Sequence, residues 1–114
     1  MGSDFISDYS FGKIVINGKS YSDDIILLHR QVVPSWWRDK GHYLSKDDLE
    51  RVIEFKPDLL IVGKGHSGRM SIAKGLAEKL PFEIEAYNTK KAVEIYNQKI
   101  KKSEKIAGAF HLTC

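Results

Sequence analysis

The chain has 114 residues, 42% hydrophobic and 29% charged, the proportions of a single domain, 1–114, that buries roughly two thirds of its unfolded surface. No run approaches the roughly eighteen apolar residues of a membrane helix. The opening MGSDFISDYSF lacks the basic-then-apolar order of a secretory signal, so the expectation is a cytoplasmic protein without a membrane partner. Eighteen Lys and Arg against 15 Asp and Glu leave a formal charge of +3, too small to imply a nucleic-acid partner.

In chain order, the first structured unit is expected at Lys13-Ile14-Val15-Ile16. Asn17-Gly18 follows, a dipeptide that accepts the positive φ angles of a tight hairpin turn, and then Lys19-Ser20-Tyr21. Ile25 to Leu28 reads as another strand. Val32-Val33-Pro34-Ser35-Trp36-Trp37 carries a proline that confines it to an edge or a loop. Ser45 then caps a helix: Asp48 stands three residues on, Asp47 and Asp48 suit the positive helix end, and Leu44 can staple onto Leu49. Leu49, Val52 and Ile53 form its apolar stripe, and Lys56-Pro57-Asp58 ends it.

Leu59-Leu60-Ile61-Val62 is a continuous apolar run, the pattern of a central strand covered on both faces. A glycine-rich turn leads to a helical pattern at Ile72, Ala73, Leu76, Ala77 and Leu80, with Gly75 a weak point. Phe82, Ile84 and Ala86 alternate with Glu83, Glu85 and Tyr87 as a half-buried strand. Thr89 is expected to cap a helix whose buried side is Ala92, Val93, Tyr96 and Ile100. Ile106 to Leu112 is the last strand. The predicted fold is a three-layer α/β domain with a mixed central sheet. An antiparallel hairpin opens it, and a parallel strand-helix-strand half with covering helices completes it. The ligand crevice of such a sheet lies beyond the carboxyl ends of its parallel strands.

That position holds Gly63-Lys64-Gly65-His66-Ser67-Gly68-Arg69, whose glycines match G-x-G-x-x-G after an apolar strand. Glycine suits close approach of backbone N–H groups to a phosphate at a helix N-terminus. Glu85, twenty residues past Gly65, stands where a ribose-binding acid would. A dinucleotide spans two mononucleotide-binding halves, however, and this chain has room for one. The P-loop spacing also fails chemically, because Arg69 replaces the motif lysine and Met70 the magnesium-binding hydroxyl. His66-Ser67-Gly68 is one residue short of a nucleophile elbow. What remains is an anion-binding turn built from Gly63, Lys64, Gly65, His66, Ser67, Gly68 and Arg69, set against a solvated basic turn.

His29, His42, His66 and His111 have no metal-type spacing, so no metal, cofactor or catalytic residue is assigned. His111 reads as a buried imidazole satisfied by a backbone partner, and the adjacent Asp23-Asp24 as turn or surface residues. Trp36-Trp37-Arg38 offers two readings, a cover for the sheet or an anchor for a protein partner. Lys99, Lys101, Lys102 and Lys105 suit a helix C-terminus and need no nucleic acid to explain them. Cys114 is the only cysteine and cannot form an internal disulfide.

Several fragments taken together resemble one family: Phe11-Gly12-Lys13-Ile14, Asn17-Gly18, Trp37-Arg38 with Gly41-His42, Leu60-Ile61-Val62-Gly63-Lys64-Gly65, Thr89 with Ala92-Val93 and Tyr96-Asn97, and the ending Ala109-Phe110-His111-Leu112-Thr113-Cys114. The family is one of small α/β domains of unassigned biochemical function. It includes archaeal and bacterial hypothetical proteins, an adipogenesis-associated animal protein and a mitochondrial complex I assembly factor. The resemblance implies a compact three-layer fold with a mixed sheet and supplies no catalytic residues. It favours a protein-interaction or assembly-assisting module, as a monomer or a homo-oligomer. The alternative is a small-anion or nucleotide binder, or a weak enzyme, that uses Gly63 to Arg69.

Overall fold

The computed structural model describes residues 4–38, 40–102 and 105–113, which leaves Cys114 outside them. The elements in order are β1 Ile6–Ser10, β2 Lys13–Ile16, β3 Lys19–Tyr21, β4 Ile25–Leu28, β5 Gln31–Val33 and β6 Tyr43–Leu44. There follow a 3-10 turn Lys46–Leu49 leading into α1 Glu50–Phe55, then β7 Leu59–Lys64, β8 Ser71–Ile72, α2 Leu76–Lys79, β9 Glu83–Tyr87, α3 Thr89–Ile100 and β10 Ile106–His111. The five-stranded sheet runs β5-β4-β10-β7-β9. Strands β10, β7 and β9 are parallel, while β4 is antiparallel to β10 and β5 to β4. The predicted mixed sheet is present, with the antiparallel strands at one side and the parallel unit at the other.

Side-chain alternation divides this sheet between two cores. Ile25, Leu27, Leu59, Ile61, Ile106 and Phe110 pack with α3 (Ala92, Val93, Tyr96, Ile100) and with Ile6, Ile14 and Ile16 of the three-stranded sheet β1-β2-β3. Ile26, Leu28, Leu60, Val62, Ala107 and Ala109 face the other way, toward Trp36, Leu44, Leu49, Val52, Met70 and Leu76. A two-residue period sends neighbours to opposite faces, so the continuous apolar runs at β7 and β10 are what a strand buried on both sides requires. Gly108 lies on the α3 face. A Cβ there would stand 3.0 Å from the Tyr96 ring, so the missing side chain is what allows α3 to pack closely.

Four expectations are corrected. The chain is already ordered at β1, before Lys13, because Ile6 is buried and Asn97 of α3 bonds both its N–H and its C=O at 2.9 Å. The helix expected over Ile72 to Leu80 shrinks to Leu76–Lys79: Gly75 takes a left-handed φ of 77°, and Leu44 and Ile72 pair as parallel strands instead. Thr89 is not the cap of α3. Asn88 is, its side-chain oxygen accepting from the Lys91 N–H at 3.2 Å. The last strand ends at His111, one residue early. The cap at Ser45 is present as predicted, its N–H donating to the Asp48 carboxylate at 2.9 Å. Among the described residues no helix is long and apolar enough to cross a membrane.

Candidate functional site

Strand β7 lies between β9 and β10, so the chain leaves β7 to one side and returns past it through α3 to the other. The crevice of a parallel sheet opens at such a reversal. Lys64, Tyr87 and His111 mark the carboxyl ends of the three strands. Because β4 runs antiparallel to β10, with Ile25 opposite Phe110, Asp24 is delivered to the same end.

There Asp24 organises a buried ionic cluster. Its Oδ2 accepts from Arg38 Nη2 at 2.8 Å and from His111 Nδ1 at 2.7 Å, and its Oδ1 accepts from the Leu112 N–H at 2.8 Å. The side chains of Arg38, His111 and Asp24 are only 3%, 7% and 16% exposed. Arg38 also donates through Nε and Nη2 to the Gly41 carbonyl, at 3.2 and 2.7 Å, and its guanidinium lies 4.5 Å from the Trp36 ring centre. Burial alone would raise the Asp24 pKa, but the bonds from His111, Leu112 and Arg38 outweigh it and hold the carboxyl below its ordinary value. An ionised carboxylate assigns the proton to His111 Nδ1. The 3.1 Å approach of Arg38 Nη2 to that nitrogen is then two donors sharing one acceptor oxygen. Two nitrogens, Arg38 Nη1 and His111 Nε2, are buried with no hydrogen-bond partner among the described residues. The His42 ring stands edge-on to His111, centroids 5.6 Å apart.

Above this cluster is a pocket of about 300 Å³ walled by Asp23, Trp37, Gly41 and Thr113 together with the cluster itself. The three residues of the tryptophan loop divide there. Trp36 is buried in the second core and donates from Nε1 to the Asp48 carbonyl at 2.9 Å, whereas Trp37 is 75% exposed. Arg38 is locked into the ion pair.

The glycine-rich turn lies at the same end. Gly63 and Lys64 are the last residues of β7. A Cβ on Gly63 would stand 2.8 Å from Thr89 Oγ1. That hydroxyl donates to the His111 carbonyl and accepts from the Gly65 N–H at 2.9 Å. Several of the turn's other N–H groups are also engaged: His66 with the Thr113 carbonyl, Gly68 with that of Gly65, and Met70 with that of Lys64. The turn is followed by β8 and not by a helix. His66, Ser67 and Arg69 are exposed, Lys64 and Gly68 half-buried. The Phe11 ring stands edge-on to His66, centroids 5.6 Å apart, and Tyr9 donates its hydroxyl to the Leu112 carbonyl at 3.0 Å with His66 Nδ1 3.4 Å away. Burial, and secondarily the Asp24 charge, raise the Tyr9 pKa.

Chemically, a carboxylate that orients an imidazole through Nδ1 is one part of an acid–base device. Among the described residues the other part, a hydroxyl or thiol on Nε2, is absent, and among them no three His, Cys, Asp or Glu side chains converge as a metal site would need. Sequence reasoning singled out Arg38 but expected a backbone partner for His111 and a turn or surface role for Asp24; the His111 ring pairs instead with the Asp24 carboxylate, which is 16% exposed. Their 87-residue separation is closed only by the β4–β10 pairing, and the sole hint was the polar His111 inside an apolar strand.

Solved structures share the fold over nearly the whole chain. A conserved hypothetical protein from Pyrococcus horikoshii is 23% identical with a TM-score of 0.81, covering 96% of this chain and 98% of its own. An outer membrane protein from Bartonella henselae is 18% identical with a TM-score of 0.79, covering 99% and 98%. A Mth938-like domain from Bordetella pertussis is 16% identical with a TM-score of 0.70, covering 96% and 85%. A family model matches residues 6–111, from the first strand to the His111 that closes the ionic cluster, and by that match the chain belongs to the protein family of unknown function DUF498/DUF598.

Proposed function

We infer that this chain is a protein-interaction or assembly-assisting module, acting in the cytoplasm, that engages its partner around Trp36, Trp37 and Arg38. The observation carrying this reading is Trp37, 75% exposed between two residues anchored by their contacts. Trp36 is fixed by burial and its indole bond, and Arg38 by its bonds to Asp24 and Gly41. An indole left in water costs hydrophobic free energy, and one whose neighbours are already anchored has less backbone entropy to lose on binding. Tryptophan and arginine are frequent interface anchors for that reason. Native mass spectrometry of the chain purified gently from its own host tests the reading. The expected result is a bound partner that Trp37→Ala removes while thermal unfolding stays unchanged. A partner that stays bound to the folded variant eliminates the loop as the anchor.

A second reading, a small-anion or nucleotide site at Gly63 to Arg69, has two observations in its favour: among the described residues neither Lys64 nor Arg69 has an ion-pair partner, and the turn stands at the sheet's reversal point. A thermal-shift panel of nucleotides and phosphate metabolites tests it. Stabilisation that Arg69→Ala abolishes is expected on this reading, and a panel without effect ends it.

A further inference from the structure

A second pocket, away from the tryptophan loop, has a charge that the fold does not explain. Its volume is about 380 Å³, and Lys46, Lys74 and Lys79 line it beside a single carboxylate, Asp47. Three anchored elements fix the backbones that carry these lysines. Ser45 and Asp48 cap the turn in which Lys46 begins. The Ala73 N–H donates to the Leu44 carbonyl at 2.8 Å, extending the β6–β8 pairing up to Lys74. Leu76, 2% exposed, roots α2 in the core, and Lys79 is the last residue of that helix. Among the described residues none of the three ammonium groups takes part in an ion pair.

Helix polarity accounts for only one of these cations, although Lys46 also borders Glu50 and Glu54 in a neighbouring pocket. Lys79 suits the negative end of α2. Lys46 opens its helical segment, the end where the backbone field favours acids and opposes lysine, and Lys74 lies outside any helix. Three like charges around one cavity repel each other, and with one carboxylate among them a net excess of two positive charges remains. Lysine ammonium groups are compact point charges suited to phosphate oxygens, and the cavity lies in the size range of small-molecule sites. Tyr43, 39% exposed, and Ala73 add an apolar part to its lining.

We propose that this pocket binds a small phosphorylated molecule carrying at least two negative charges, with Lys46, Lys74 and Lys79 neutralising the phosphate and Tyr43 and Ala73 touching the remainder. The site is separate from the Trp37 surface and from the Gly63–Arg69 turn, so it stands whether or not either of those binds anything.

The test is a titration of the isotopically labelled chain, followed by amide chemical shifts, with two probes: inorganic pyrophosphate and adenosine monophosphate. Saturable shifts confined to residues 43–47 and 73–79 are expected with at least one probe. Stronger binding of the monophosphate identifies an organic phosphate as the ligand; stronger binding of pyrophosphate identifies the phosphate group as sufficient. The exposed pair Lys74→Glu/Lys79→Glu should weaken binding roughly tenfold or more. The pair Lys13→Glu/Lys102→Glu, which alters the net charge equally and lies outside the pocket, should change it by less than about twofold. Both are checked for folding by the dispersion of the same spectra, and Lys74→Gln/Lys79→Gln replaces the first pair if it unfolds. The proposal is overturned if millimolar probe causes no shift, if shifts centre on residues 63–69, if they spread over surface lysines without saturating, or if both charge-reversed pairs lose affinity equally.

Discussion

At Gly63 the missing side chain is what admits Thr89. A Cβ at that position meets the Thr89 hydroxyl at 2.8 Å and the Phe110 ring at 3.3 Å, and that hydroxyl joins the Gly65 N–H to the His111 carbonyl. The glycine of the apparent phosphate motif therefore has a packing reason to be glycine, independent of any ligand. Overpacking of this kind costs roughly 1–3 kcal/mol, so Gly63→Ala is expected to lower the unfolding free energy by about that amount in a urea titration. Gly41, whose added Cβ would meet nothing within 4 Å, is the control, and Gly41→Ala should stay within about 0.5 kcal/mol of the parent. Equal effects at the two positions would mean that the contact with Thr89 relaxes without cost.

At the level of elements, period and caps made most of the fold legible. The unbroken apolar runs at β7 and β10 announced strands covered on both faces, the positions Ala92, Val93, Tyr96 and Ile100 announced α3, and Asn17-Gly18 announced the first hairpin. Elements made by tertiary contact were hidden. The sequence Ile-Ser-Asp-Tyr-Ser of β1 has the polarity of a tail, and β8 exists because Ile72 finds Leu44. The site was half legible for the same reason: Trp36-Trp37-Arg38 is visible as a local cluster, whereas Asp24 and His111 meet through a strand register that no local pattern encodes. Asn97 shows how such a hidden element is held. From the buried face of α3 it bonds the N–H and the C=O of Ile6, standing in for the second strand neighbour that β1 lacks at the edge of its sheet. Asn97→Ala leaves both groups of Ile6 unsatisfied, and a loss of roughly 1–3 kcal/mol is expected. Amide hydrogen exchange should accelerate most in β1; uniform acceleration throughout the chain would show that the residue supports the whole fold and not the seam between α3 and the small sheet.

Across the whole molecule, Asp24 is the point where three distant segments meet: the start of β4, the loop carrying Arg38 and the end of the central strand β10. Its carboxyl is held below the ordinary value of 3.8 by bonds that outweigh its burial, so the native state gives up this proton at a lower pH than the unfolded chain does. The stabilisation is therefore fully present above the unfolded value of about 4, and it is lost as the pH falls from there through the native value. Asp24→Asn removes that linkage and weakens charge-assisted hydrogen bonds, at a cost on the order of 2 kcal/mol near neutral pH. The gap in unfolding free energy between parent and variant should then be constant at neutral pH and close progressively below about pH 4. Subtracting the variant's pH profile from the parent's isolates Asp24 from the other carboxylates, which are common to both chains. A gap that persists unchanged into acid would mean that the asparagine's loss is one of shape alone, and that the charge on Asp24 adds nothing to the junction between the two halves of the chain.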